Sequence, residues 1–169
     1  MKTYFELFGL RPAFALDPED LERAYRDIQS KVHPDRFVRA SDAERRASMQ
    51  MTTQVNEAYR TLKSPVQRAK YILELNGIDV GFETNTAMPR EFLIQQMELR
   101  ERLEEAKKGS DLDLMSQSLA VERLEIEKQI EEKIDRQRDF SAAKDLVRTL
   151  MFLERFGEEI DAAYEILET

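Results

Sequence analysis

One stretch of this chain carries residue types that could do chemistry together. His33-Pro34-Asp35 sets an imidazole two residues from a carboxylate, and His33 is the only histidine in 169 residues. An imidazole oriented by a carboxylate can act as a general base if a nucleophile or a metal stands beside it. No activated nucleophile is evident, and one histidine with no cysteine cannot assemble an ordinary zinc site. No catalytic residue, metal site or cofactor is therefore expected, and the chain reads as a non-enzyme. What Pro34 contributes is geometry. It has no N–H and restricts the residue before it, so the tripeptide must lie where a helix ends and a loop begins.

The elements on either side fit that placement. Leu16-Asp17-Pro18-Glu19-Asp20 is a helix start, with Asp17 as cap, Pro18 first in the helix and acids in the first turn. Leu21, Ala24, Tyr25, Ile28 and Val32 then recur on one helical face, while Arg23, Arg26, Asp27 and Lys31 fall off it and face solvent. After the loop, Ser41-Asp42-Ala43-Glu44 reads as a capping box. A second stripe follows: Ala47, Met51, Val55, Ala58, Tyr59 and Leu62. Two apolar faces with a short connection predict an antiparallel pair. A short segment, Tyr4 to Leu10, precedes the pair, and a short helix from Ser64-Pro65 through Leu75 follows it, stopped by Asn76-Gly77.

Residues 77–87 have no helical period and read as a linker, with Ile78, Val80 and Phe82 available to dock. Met88-Pro89 opens a second module, 88–169, with a first helix running to Lys108 and stopping at Gly109. A second carries Leu112, Met115, Leu119, Ile126, Ile130 and Ile134 on one side. A third starts at Phe140-Ser141, with Leu146, Val147, Leu150, Leu153, Ile160, Tyr164 and Leu167 inward; Gly157 within it either kinks the helix or admits a close neighbour. The fold class is all-α, an N-terminal module of residues 1–76 plus a C-terminal three-helix bundle.

Charge separates the two modules. Residues 1–76 hold 13 Lys/Arg against 11 Asp/Glu, a balance of +2, and residues 77–169 hold 13 against 23, a balance of −10. A half so acidic is repelled by phosphates, which excludes nucleic acid as a partner. No apolar run approaches a membrane span and the N-terminus lacks a signal peptide, so neither a membrane nor export is expected and the cytoplasm is the default compartment.

The tripeptide between these helices, with Asn56-Glu57-Ala58-Tyr59, Leu62 and Ser64-Pro65 on the second, resembles the J-domain over roughly residues 2–75. J-domains belong to co-chaperones that stimulate ATP hydrolysis by the seventy-kilodalton heat-shock chaperones. Tyr4-Phe5-Glu6-Leu7-Phe8-Gly9-Leu10 and His33-Pro34-Asp35-Arg36-Phe37 are more narrowly similar to the HscB family of bacterial iron–sulfur cluster assembly. Arg36 stands where many J-domains carry Lys, which keeps the charge. The resemblance implies that His33, Pro34 and Asp35, with Arg23, Arg26 and Lys31, bind a dedicated chaperone, HscA. Those cations would steer the approach to an acidic patch, although by themselves they are equally an ordinary solvated face.

The first helix of the second module adds a separate signal. Phe92, Leu99, Leu103 and Ala106 share one face, while Leu93, Ile94 and Met97 point away among Glu98, Glu101, Glu104 and Glu105. Isolated exposed apolar residues are common; three on the outer face of one helix favour binding. Phe152 falls off its own stripe and is expected to join them. The segment Phe92 to Glu101 resembles the HscB scaffold-binding helix, which implies that Leu93, Ile94, Met97, Glu98, Glu101, Glu105 and Phe152 dock the cluster scaffold IscU. A J-domain protein serving another client and a general chaperone is the alternative, as is a coiled-coil-like dimerisation element; the first reading expects a monomer. Lacking cysteine, the chain is not expected to ligate the cluster itself.

Overall fold

Every regular element in the computed structural model, which describes residues 1–81 and 88–168, is helical. Contacts divide the chain into two units, residues 1–75 and a second beginning at Asn76.

In the first unit, Thr3 accepts a hydrogen bond from the Glu6 N–H while the Glu6 carboxylate accepts from the Thr3 N–H, a reciprocal cap on α1 (Tyr4–Leu7). One turn cannot stand alone; it is held by buried Phe5 and by Tyr4 stacking on Tyr71 at 4.5 Å. α2 (Pro18–Val32) starts as the sequence predicts, with Asp17 accepting from the Glu19 N–H at 2.9 Å and Pro18 leading the helix. α3 (Asp42–Lys63) is capped by the Ser41 hydroxyl, and α4 (Pro65–Leu75) ends before Gly77, whose φ of +77° suits a residue without a Cβ.

α2 and α3 run antiparallel, since Tyr25 meets Asn56 at one end of the pair and Val32 meets Ser48 at the other. The inward stripe of α3 differs from expectation at its first turns. Ala47 is exposed and Met51 is 37% exposed, while Ser48 and Thr52 turn toward α2. Counting back from Leu62 and Val55 in sevens lands on Ser48; apolarity alone favoured its neighbour. Arg68, also unanticipated, is buried. Its guanidinium donates to the carbonyls of Phe14 and Leu62, both at 2.7 Å, and lies 5.1 Å over the Phe14 ring, tying the segment before α2 to the end of α3.

In the second unit, Val80 is fully buried and its carbonyl accepts from Arg148 Nε at 2.8 Å, so the start of the expected linker docks. Phe82 lies outside the described residues. α5 spans Arg90–Glu105 and stops three residues short of the expected Lys108. The reason is a cap: the amides of Lys107 and Lys108 both donate to the Asp111 carboxylate, which begins α6 (Gly109–Glu131) with Gly109 as its first residue rather than a stop. A wide turn, Glu132–Arg136, and Asp139, which accepts from the Ala142 N–H at 3.0 Å, lead into α7 (Phe140–Glu168).

Gln95 meets Glu122, and Asp113 meets Tyr164, so α6 is antiparallel to both neighbours, while Phe92 on Phe152 and Arg100 beside Glu159 make α5 and α7 parallel. The core between them is Leu112, Leu119, Phe152, Leu153, Phe156 and Ile160, with Phe92, Leu99, Leu103 and Ala106 packed on it. α7 stays continuous through Gly157, where an added Cβ would come 3.3 Å from Leu119 Cδ2. Close approach, not a kink, is that glycine's role. Leu167, expected inward, is 42% exposed, because the core ends near Tyr164.

Candidate functional site

The tripeptide is displayed. α2 ends at Val32, and Pro34–Phe37 form a single tight turn that His33 caps: Nδ1 accepts from the Asp35 N–H at 3.2 Å. An Nδ1 that accepts leaves the ring proton of the neutral imidazole on Nε2. The Asp35 carboxylate lies 3.5 Å from the same Nδ1, and the two side chains are 47% and 87% exposed. Both side chains face solvent, and the turn presents their shape and the Asp35 charge at its surface.

Arg23, Arg26 and Lys31 are exposed as expected, yet none is an isolated cation. Arg23 pairs with Asp20 and Arg26 with Glu22, both at 2.6 Å, and Lys31 with Asp27 at 3.0 Å. Exposed pairs of this type are worth only about 0.2–1 kcal/mol, so an incoming carboxylate exchanges with them at small cost. Arg36, on the turn itself, is committed differently: its guanidinium donates to the Ser30 carbonyl at 3.1 Å.

On α5, Ile94 is 44% and Met97 63% exposed, and Glu98, Glu101 and Glu105 are exposed around them. Leu93 is half-buried at the edge of this face. Phe152 is not on it. It is 8% exposed, edge-on to Phe92 at 5.5 Å and stacked on Phe156 at 5.8 Å, and so is core. α7 is contacted by both other helices, which widens its apolar arc beyond one stripe and draws Phe152 inside. Periodicity also passed over Phe156, which continues the four-residue spacing from Phe152 to Ile160. A separate row of exposed apolar residues, Leu114, Val121 and Leu124, runs along α6 at 68%, 70% and 59%.

A helix pair that displays His-Pro-Asp on the turn between its members defines the J-domain co-chaperones, and in this chain an α-helical bundle with an acidic outer face follows it. The chain matches the DnaJ domain over residues 3–71 and the HSCB C-terminal oligomerisation domain over residues 88–161. It is 48% identical to the co-chaperone HscB homologue of Aromatoleum aromaticum, covering 99% of this chain and 97% of that one. The homologue of Burkholderia vietnamiensis is also 48% identical, over 99% and 97%. Among solved structures, chaperone HscB from Vibrio cholerae superposes with a TM-score of 0.87 at 35% identity, covering 98% and 99% of the two chains. Human co-chaperone HscB superposes with a TM-score of 0.93 at 31% identity, covering 96% and 82%. The chain belongs to the HscB family. It is a co-chaperone of the iron–sulfur assembly class and not itself an enzyme, and its J-domain implies a chaperone of the seventy-kilodalton class as partner. Among the described residues, no helix is long and apolar enough to cross a membrane.

Proposed function

We propose that this protein stimulates ATP hydrolysis by an HscA-type chaperone through His33-Pro34-Asp35 and brings it an IscU-type iron–sulfur scaffold held on α5. The observation that carries this reading is the exposed tripeptide on a turn whose hydrogen bonds are met by its own chain. A displayed, ordered loop costs little entropy to dock and can bias the partner between its conformations. Arg23, Arg26 and Lys31 on α2 would meet acidic groups of the chaperone. Ile94 and Met97 would anchor the scaffold, with Leu93 at the edge and Glu98, Glu101 and Glu105 selecting a basic rim. Phe152 would act beneath the face, holding Phe92 and hence α5 in place.

The test is single-turnover ATP hydrolysis by purified HscA with and without this protein and IscU. Stimulation by the two together should exceed the sum of their separate effects, and His33→Gln should abolish this protein's share while circular dichroism stays unchanged. Full stimulation by that variant would sink the reading.

The row Leu114, Val121 and Leu124 on α6, in a region matching a domain described as oligomerising, favours a second reading in which the bundle self-associates. Sedimentation at micromolar concentration decides it: a monomer removes this second reading, and a dimer dissociated by Val121→Glu supports it.

A further inference from the structure

The last four carbonyls of a helix have no donor of their own. The His33 N–H still bonds the Gln29 carbonyl at 3.0 Å, but the amide that would serve Ser30 is missing because residue 34 is proline. The Asp35 amide turns onto His33 Nδ1, and the Arg36 amide bonds the His33 carbonyl at 3.0 Å instead of that of Val32. Of the three carbonyls thus left without their usual amide, those of Ser30 and Val32 are met by side chains. Ser30 takes the Arg36 guanidinium, and Val32 takes two hydroxyls from α3: Ser48 Oγ at 2.6 Å and Thr52 Oγ1 at 3.2 Å.

Serine and threonine within a helix commonly bond back to their own helix, as Thr53 does to the Met49 carbonyl at 3.0 Å. Ser48 and Thr52 instead spend their protons across the helix pair. The carbonyl they hold belongs to the same rigid peptide plane as the His33 N–H. That plane is thus pinned at both ends, by Gln29 on one side and by the two hydroxyls on the other. Ser48 is only 5% exposed, so water competes weakly for the bond.

We infer that Ser48 and Thr52 are positioning residues for His33-Pro34-Asp35: their hydroxyls fix the Val32–His33 peptide plane, so that α3 sets the angle at which the tripeptide is presented. Packing holds α2 against α3 in any case, through Leu21, Val55, Ala58 and Leu62 and the stacked Tyr25 and Tyr59 rings. Removing the hydroxyls frees the plane without dissolving the pair. The inference rests on the proposed action of the loop on a chaperone, and its test separates the two.

Ser48→Ala with Thr52→Val deletes both donors at nearly constant volume; Ser48→Ala with Thr52→Ser keeps one. Amide hydrogen exchange of the full chain, followed by NMR, should rise about tenfold at Asp35 and Arg36 in the first variant, with α4 amides unchanged. Its maximal stimulation of HscA should fall about tenfold with IscU affinity unaltered, and the one-hydroxyl variant should recover most of both effects. Wild-type stimulation by the first variant overturns the inference. So does lost stimulation with unchanged exchange at Asp35, or exchange rising equally in α4, which marks a loss of fold. Failure of the wild-type protein to stimulate HscA at all counts against the proposed function, and the exchange measurement then decides the positioning by itself.

Discussion

A single side chain can be exposed and still be committed, and His33 is such a case: its Nδ1 is occupied by the Asp35 amide while the ring remains 47% exposed. The sequence shows the residue types and the helix break; it does not show that the imidazole caps its own turn. The same scale holds a group that works against the fold. Burial raises the Glu154 carboxyl above its ordinary value of 4.5, with Glu158 adding to the shift and Arg123 opposing it. A carboxyl raised on folding favours the folded state only while protonated. Its contribution is present below the unfolded value and is lost as the pH rises through the folded one. Glu154→Gln should therefore raise the midpoint of thermal unfolding at pH 7, with the gain shrinking toward pH 4. A gain that does not depend on pH would show that burial of charge is not the cause.

Helix ends were legible where a cap or a stop within one turn sets them. Asp17-Pro18 and the stop at Asn76-Gly77 lie where local chemistry places them, because caps act within one turn. The end of α5 was not legible. Gly109 looks like a stop, and only the reach of Asp111 back to the amides of Lys107 and Lys108 shows that it begins the next helix. Gly157 is the opposite case, a residue whose two sequence readings are separated by one distance, 3.3 Å to Leu119. An added Cβ already requires Leu119 to give by a few tenths of an ångström, and a branched side chain requires more. Gly157→Val should destabilise the second unit by about 1–3 kcal/mol, the usual cost of overpacking. Chemical denaturation followed by circular dichroism reads it, and an unchanged midpoint would mean that Leu119 yields freely.

Across the whole molecule, the two proposed surfaces lie on separate units that differ in charge, +2 for residues 1–76 and −10 for residues 77–169. Separate surfaces should fail separately. Ile94→Ala with Met97→Ala should weaken IscU binding at least tenfold by titration calorimetry, since exposed anchors of this size carry about 1–2 kcal/mol each at an interface. The stimulation of HscA measured without IscU should not change. Equal affinity for the scaffold would move the site away from this face of α5.

What the sequence determined by itself is whatever depends on neighbours along the chain: the caps at Asp17 and Ser41, the greater part of each apolar stripe, the break at Pro34 and the uneven charge. What only the tertiary structure decided depends on groups brought together from afar. Phe152 is core because α7 is flanked on two sides, and Arg68 is buried because the carbonyls of Phe14 and Leu62 converge on it. Ser48 and Thr52 face inward, where Ala47 and Met51 were the more apolar choice, because Val32 ends its helix with an unmet carbonyl. Periodicity ranks side chains by their aversion to water; it cannot register a hydrogen bond whose acceptor lies 16 or 20 residues away on another helix.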